Sequence, residues 1–189
     1  MNEKGKQLAL ILGSAGVLIA VLVGIFLATR GRQKQVQTGA TPSETRQKAT
    51  YLLSETAPIE IKLKAGGINI SATAMRLIYN YEGDLPFELK DADSKKEGIQ
   101  AKLNDELLEK SWVYPINKIM VNENKKEVIL ELAAVNLDPA GYVARDEEVL
   151  ATIEFEAVGE VGKIDFKFDD TQTKLIAKTG EEVILNLID

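Results

Sequence analysis

The sequence predicts an all-β domain, an antiparallel sandwich or jelly roll of about nine strands, preceded by one amino-terminal transmembrane helix. Three observations predict it. Beyond residue 55, short segments alternate apolar and polar residues with a period of two. Clusters of Gly, Asn, Asp and Pro separate these segments, and no regular alternation of strand and helix patterns calls for a parallel sheet. Ahead of them stands one long uncharged stretch, residues 8–28.

Taken in order, residues 1–7 are a short tail carrying Lys4 and Lys6. Leu8 to Ala28, LALILGSAGVLIAVLVGIFLA, runs 21 residues without a charge. At 1.5 Å per residue a helix of that length spans about 30 Å, the thickness of a bilayer core. It is apolar all round, whereas a helix of a globular core keeps a polar side. A cleaved signal peptide also begins with Lys residues, but its apolar stretch is about 7–15 residues long and ends in small residues at the cut. This run ends at Ala28-Thr29-Arg30, so residues 8–29 read as an uncleaved signal anchor, with the cleaved signal as the alternative. Lys4 and Lys6 on one side nearly balance Arg30, Arg32 and Lys34 on the other, so the flanking charges do not orient the segment. Gly16, Ala20 and Gly24 form a small-xxx-small row of the kind that pairs two such helices, though incidental spacing is the commoner cause. Residues 30–54 are polar, with almost no bulky apolar side chains over Thr29–Thr50, and read as a flexible linker of about 25 Å reach.

Residues 55–189 are the domain. Ile59, Ile61 and Leu63 alternate with Glu60, Lys62 and Lys64. Met75, Leu77, Tyr79 and Tyr81 do so within Ser71–Tyr81, and Phe87–Leu89 is a shorter strand. Ile99–Lys110, IQAKLNDELLEK, is the one segment with a helix pattern. Pro115–Val121 and the stretch around Val128, Leu130 and Leu132 follow. Ala151, Ile153, Phe155 and Ala157 then alternate with Thr152, Glu154 and Glu156, and Ile164, Phe166 and Phe168 with polar neighbours. Lys174–Ala177 and the row Val183, Leu185, Leu187 close the domain. Each is a strand with one wet face.

The inventory narrows the chemistry. Among 189 residues there is no His and no Cys, which excludes disulfide scaffolds, imidazole or thiolate metal sites and Ser/His/Asp or Cys/His nucleophiles. Residues 1–50 hold seven cations against Glu3 and Glu44, and residues 51–189 hold 16 cations against 27 anions. An acidic body of that kind repels phosphate backbones, so no nucleic-acid partner is expected. No Gly-rich phosphate loop occurs, so no nucleotide is expected. Carboxylate pairs are the remaining catalytic material, at Asp91/Asp93, Asp146-Glu147-Glu148 and Asp169-Asp170. All sit in turn sequences, where solvated loop carboxylates are the ordinary reading, and no catalytic residue is assigned. Ca²⁺ is the one metal that an oxygen-only set such as Asp91, Asp93, Asp169 and Asp170 suits, although no EF-hand loop is present, and no other cofactor is expected. Trp112 and Tyr114 invite a sugar-stacking role, but a lone Trp is more often packed than presented.

Four pieces carry a resemblance: Ile70–Leu89 with its Tyr-Asn and Leu-containing stretch, Ser111–Val135, Gly141–Asp170 with VLATIEFEAVGEVG, and Thr173–Ile184 with its Thr-Gly turn. Together they resemble the cohesin-like domains of bacterial surface proteins over roughly Pro58 to Ile188. The resemblance implies a nine-stranded jelly roll, displayed outside the cytoplasmic membrane, that binds a protein partner such as a dockerin, or a surface polysaccharide, without catalysis. The chain departs from the family in lacking a secretory cleavage site and in the charged, helix-like Asp91–Lys110. The expectation is a single-pass membrane protein, held in the lipid bilayer through residues 8–28, with an extracytoplasmic binding module. The alternative is a structural or scaffolding subunit of a membrane or cell-envelope complex, whose helix packs with other helices.

Overall fold

A computed structural model describes residues 47–159 and 162–189. The anchor segment, the Gly16/Ala20/Gly24 row and the linker up to Arg46 lie outside the described residues. Among the described residues no helix is long and apolar enough to cross a membrane.

Among the described residues thirteen strands and one short helix follow one another. They are β1 Lys48–Leu53, β2 Ile59–Lys64, β3 Asn69–Asn80, β4 Phe87–Leu89, β5 Lys102–Leu103, α1 Asp105–Glu109, β6 Trp112–Asn122 and β7 Glu127–Asn136. After these come β8 Tyr142–Val143, β9 Glu148–Ile153, β10 Phe155–Ala157, β11 Lys167–Phe168, β12 Lys174–Ala177 and β13 Glu182–Ile188. Nine of them make a continuous path, β5-β9-β2-β1-β13-β12-β3-β7-β6, with β8 and β11 flanking β3 and a separate β4–β10 pair. Because β13 pairs with β1 on one side and β12 on the other, the path curls into a sandwich of two faces sharing that strand. The pairs are antiparallel except β1 with β13, which is parallel.

Alternation dictates what lies between the faces. Tyr51, Ile61, Leu63, Leu77, Leu130, Leu132, Leu150, Ile153 and Leu175 are almost wholly buried. A fully buried aliphatic side chain contributes about 1.5–3 kcal/mol, so this set dominates the stability of the sandwich. One polar chain crosses it. The Tyr51 hydroxyl donates to Thr73 Oγ1, which donates to the Lys174 carbonyl at 3.1 Å, tying β1 to β3 and β12.

Four sequence expectations need correction. The linker does not extend to residue 54: KATYLL forms β1, with Ala49 and Tyr51 inward between β2 and β13, so the domain begins at Lys48. Lys48 and Thr50, turned outward, give this strand its linker-like composition. The helix over Ile99–Lys110 shrinks to α1, because Asn104 caps it by accepting from Glu106 N–H (3.0 Å) and Ser111 follows at a left-handed φ of 63°. The alternation from Ala151 to Ala157 breaks at Glu154. Leu150, Ala151 and Ile153 are buried, Phe155 is half-buried against Phe87 at 5.2 Å in the separate pair, and Ala157 is exposed. The strand expected over Ile164–Phe168 contracts to Lys167–Phe168, although Phe166 is buried.

The free edges of the two faces are closed by residues 99–104. Ile119 N–H on β6 donates to the Ile99 carbonyl (2.7 Å), and the Asn117 amide exchanges two hydrogen bonds with the Ala101 backbone (3.0 and 2.8 Å). On β9 the Val149 carbonyl accepts from Asn104 Nδ2 (2.6 Å) and the Leu150 carbonyl from the Tyr114 hydroxyl (3.2 Å). Edges blocked in this way are poor templates for strand addition.

Candidate binding face

With the edges closed, the surfaces open to a partner are the outward faces, and registry shows what each presents. Residues opposite one another on paired strands share a face. On β6, β7 and β3 one transverse row is Met120, Ile129 and Ile78. The next is Lys118, Glu131 and Arg76, with Arg76 Nε 3.9 Å from the Glu131 carboxylate. Then follow Ile116, Ala133 and Ala74, a row that ends in Lys174 of β12, and after them Val113, Val135 and Ala72, with Ile176 of β12 completing that row. Three rows that are apolar across β6, β7 and β3 and one charged row thus lie on the outward side of the sheet, with Ile129 and Ala133 buried between their neighbours and Met120, Ile78 and Val135 half-buried. Across β6, β7 and β3, at about 4.8 Å between strands and 3.4 Å per residue, the patch measures roughly 10 by 20 Å. Ile116 remains 44% exposed at its margin, and Asn122, Glu127 and Asn80 form a polar rim.

A sheet with one wet face ordinarily alternates apolar-in and polar-out. β7, EVILELAAVN, departs from that rule by being apolar on both sides. That near-continuous run is the sequence signal that points to this face; reading Val128, Leu130 and Leu132 as the inward set leaves Ile129, Ala133 and Val135 on the outside.

The site residues singled out in the sequence fall elsewhere. Asp91 Oδ1 accepts the backbone N–H groups of Gln100 (3.0 Å) and Asp93 (3.2 Å). Asp93 accepts from Lys95 N–H and pairs with Lys96 at 3.5 Å. Asp169 accepts both the N–H and the hydroxyl of Thr171, and Asp170 is exposed beside it. These carboxylates are committed to turn geometry. Among the described residues no group of three or more Asp or Glu is placed to hold a metal ion.

Trp112 is 3% exposed and packs edge-on against Tyr142 at 5.7 Å, so its ring is not presented as a stacking platform. The Tyr114 hydroxyl is used on Leu150, and burial, with the nearby Glu148 charge, raises its pKa. Glu148 is not a loop carboxylate: it opens β9, is buried, and accepts the Tyr142 hydroxyl and the Arg145 N–H. Burial raises the Tyr142 phenol, and the bond to Glu148 raises it further. A cleft beside Leu53, Ile59 and Phe166 has about 10 Å³, space for about one water.

No family model and no curated protein matches the sequence. Solved structures are similar to it. One is the cohesin of a type I cohesin–dockerin complex from Clostridium thermocellum, at 17% identity over 75% of this chain and 94% of that one, with a TM-score of 0.49. Another is the second type II cohesin module of the ScaA scaffoldin of Acetivibrio cellulolyticus, at 13% identity over 75% of this chain and 91% of that one, TM-score 0.49. A third is a cohesin from Clostridium acetobutylicum, CaCohA2, at 10% identity over 76% and 88%, TM-score 0.48. All three are cohesin structures, and the first was determined as a complex with a dockerin.

Proposed function

We propose that this chain is a non-catalytic binding module that takes a protein partner on the outward face of β12, β3, β7 and β6. The observation that carries the reading is the set of three apolar rows on a sheet face that water would otherwise favour as polar. An extent of roughly 10 by 20 Å seats one helix, about 10 Å across. The Lys118, Glu131 and Arg76 row between the apolar rows fixes the orientation of whatever docks, since a misplaced like charge there would be costly. A protein partner suits this face better than a polysaccharide, because the rows are aliphatic and no aromatic side chain lies in them. A dockerin-like module is the partner that the sequence resemblance implies. The module is held to the cytoplasmic membrane by residues 8–28 and displayed outside it.

The test is calorimetry of the purified chain against a panel of dockerin modules, alongside sedimentation with insoluble cellulose and xylan. The reading expects saturable binding to a protein ligand that is lost in Ile78→Asp, and no co-sedimentation with either polysaccharide. Binding to polysaccharide that survives Ile78→Asp contradicts it.

A further inference from the structure

Exposure is shared unevenly along the outward face of β6, β7 and β3. At one end Ile129 is buried and Met120 and Ile78 are half-buried. Toward the other end Ile116 is 44% exposed, and beyond Val135 come Leu137 and Val143, at 57% and 60% the most exposed large aliphatic side chains among the described residues. Both belong to this face. The Leu137 N–H donates to the Ser111 carbonyl (2.9 Å), which carries the β6–β7 pairing one residue past Trp112 and Asn136. Trp112 and Asn136 are buried, so Leu137 turns outward with Val135. On β8, Tyr142 lies opposite buried Ile70 and packs on Trp112, so Val143 turns outward beside Asn69.

The charged row bounds this aliphatic end. Lys118 and Arg76 flank Glu131 across the three strands. Lys118 has no carboxylate within pairing distance among the described residues. Arg76 Nε is buried without a hydrogen-bond partner, 3.9 Å from the Glu131 carboxylate. Asp169, whose N–H donates to the Arg76 carbonyl, turns its carboxylate on the N–H and hydroxyl of Thr171. A partner seated over β7 therefore meets an incompletely paired cation on each side of its midline, and carboxylates are the groups that complete both. The surface also selects the partner's backbone. With the sandwich edges closed, an extended segment laid on this face leaves its own N–H and C=O groups unpaired, whereas a helix satisfies them internally. Three strands at about 4.8 Å spacing span roughly 10 Å, the width of one helix. Along β7 the distance from Glu131 to Leu137 is roughly 20 Å, close to four helical turns.

We propose that the partner engages this face with one amphipathic helix lying along β7, its aliphatic stripe seated over Ile116, Val135, Leu137 and Val143 and acidic residues on both flanks of that stripe at Lys118 and Arg76. This seat rests on the reading that a protein partner takes the face, and Leu137 and Val143 are its anchor.

The probe is a pair of fluorescein-labelled synthetic helical peptides of about 18 residues, each with a leucine stripe at the i, i+3, i+4, i+7 spacing. In one the stripe is flanked by Glu, in the other by Lys at the same positions. Fluorescence anisotropy is measured against the purified full-length chain and its variants in one detergent, so that uptake of peptide by micelles is common to all. The Glu-flanked peptide is expected to bind saturably and more tightly than the Lys-flanked one, and the order should reverse in Lys118→Glu combined with Arg76→Glu. Leu137→Asp with Val143→Asp should weaken binding about tenfold or more. Ile188→Asp, exposed on β13 beside Leu52 of β1, should stay within about twofold of the parent. Thermal melts establish that each variant is folded. No saturable binding by either peptide, no preference for either charge, or binding indifferent to Leu137 and Val143 overturns the proposal. Dockerin binding lost in Ile78→Asp alongside any of those results keeps the face and removes only the helix seat; dockerin binding indifferent to Ile78→Asp removes the face as well.

Discussion

Tyr51→Phe offers the most detailed test of how β1 is held. Tyr51 is wholly buried, and burial raises its phenol pKa strongly, the bond to Thr73 offsetting only part of the effect. In the unfolded chain a tyrosine loses its proton near pH 10 (about 10). Above that pH the folded protein holds one proton more than the unfolded one, so this contribution to stability is complete below about pH 10 and declines as pH rises toward the folded value. The decline is about 1.4 kcal/mol per pH unit from Tyr51 alone. Phe at this position removes the titration and one hydrogen bond, while Thr73 keeps the Lys174 carbonyl. Near neutrality the variant should therefore be less stable by about 1 kcal/mol. The two stability curves should cross near pH 11 (about 11), beyond which the variant is the more stable. Urea denaturation of residues 45–189, followed by far-ultraviolet circular dichroism from neutral to alkaline pH, gives both curves. Lysine deprotonation acts on both proteins alike, so the difference isolates Tyr51. Curves that stay parallel through the alkaline range would refute the buried, protonated phenol and with it the inward placement of β1.

The remaining predictions follow from the same registry. A fragment of residues 45–189 should melt cooperatively with a β spectrum, and one beginning at Ser54 should not, because it lacks the strand between β2 and β13. Ile153→Ala should cost about 3–4 kcal/mol and half-buried Phe155→Ala about 2, while Glu154→Ala should cost under about 0.5, as urea midpoints will report. Trypsin added to cells stripped of their wall should cut at Arg30, Arg32, Lys34 or Arg46 and release the domain without permeabilisation. Release only after permeabilisation would place the domain in the cytoplasm.

How far the fold was legible depends on how locally each strand is specified. β2 alternates strictly, so its inward set appears in sequence as it does in space, whereas β3 changes phase between Ile70 and Thr73 and β13 carries Ile184 and Ile188 outward. β1 is hidden because its inward residues Ala49 and Tyr51 sit between Lys48, Thr50 and a polar approach, with only Leu53 beyond them. Closure of the edges is carried by Asn104, Tyr114 and Asn117, whose partners lie 16 to 45 residues away, and no local pattern encodes such bonds. The broken strand at Glu154 arises where the chain leaves β2 for β4, a change of neighbour that leaves the alternation of the sequence intact. The acidic turns at Asp91/Asp93 and Asp169-Asp170 were legible as turns, whereas Glu148, read as part of one, opens β9 and is buried. The binding face was not, because its rows exist only once β6, β7, β3 and β12 are aligned.

The most direct measurement is a comparison of the two faces with one bound partner. Paired aspartate variants on the apolar rows, Ile78→Asp with Ile116→Asp, are set against a pair on the opposite face, Thr50→Asp with Asn186→Asp, and partner affinity is measured by calorimetry. Each set adds two charges at outward positions, so folding, checked by thermal melts, should survive in both. Burying unpaired carboxylates in an interface costs several kcal/mol, which is a loss of about a hundredfold or more in affinity for the first pair. The second pair should leave affinity within about threefold of the parent. Equal losses from both pairs, or a loss confined to Thr50 and Asn186, would contradict the assignment of the binding face.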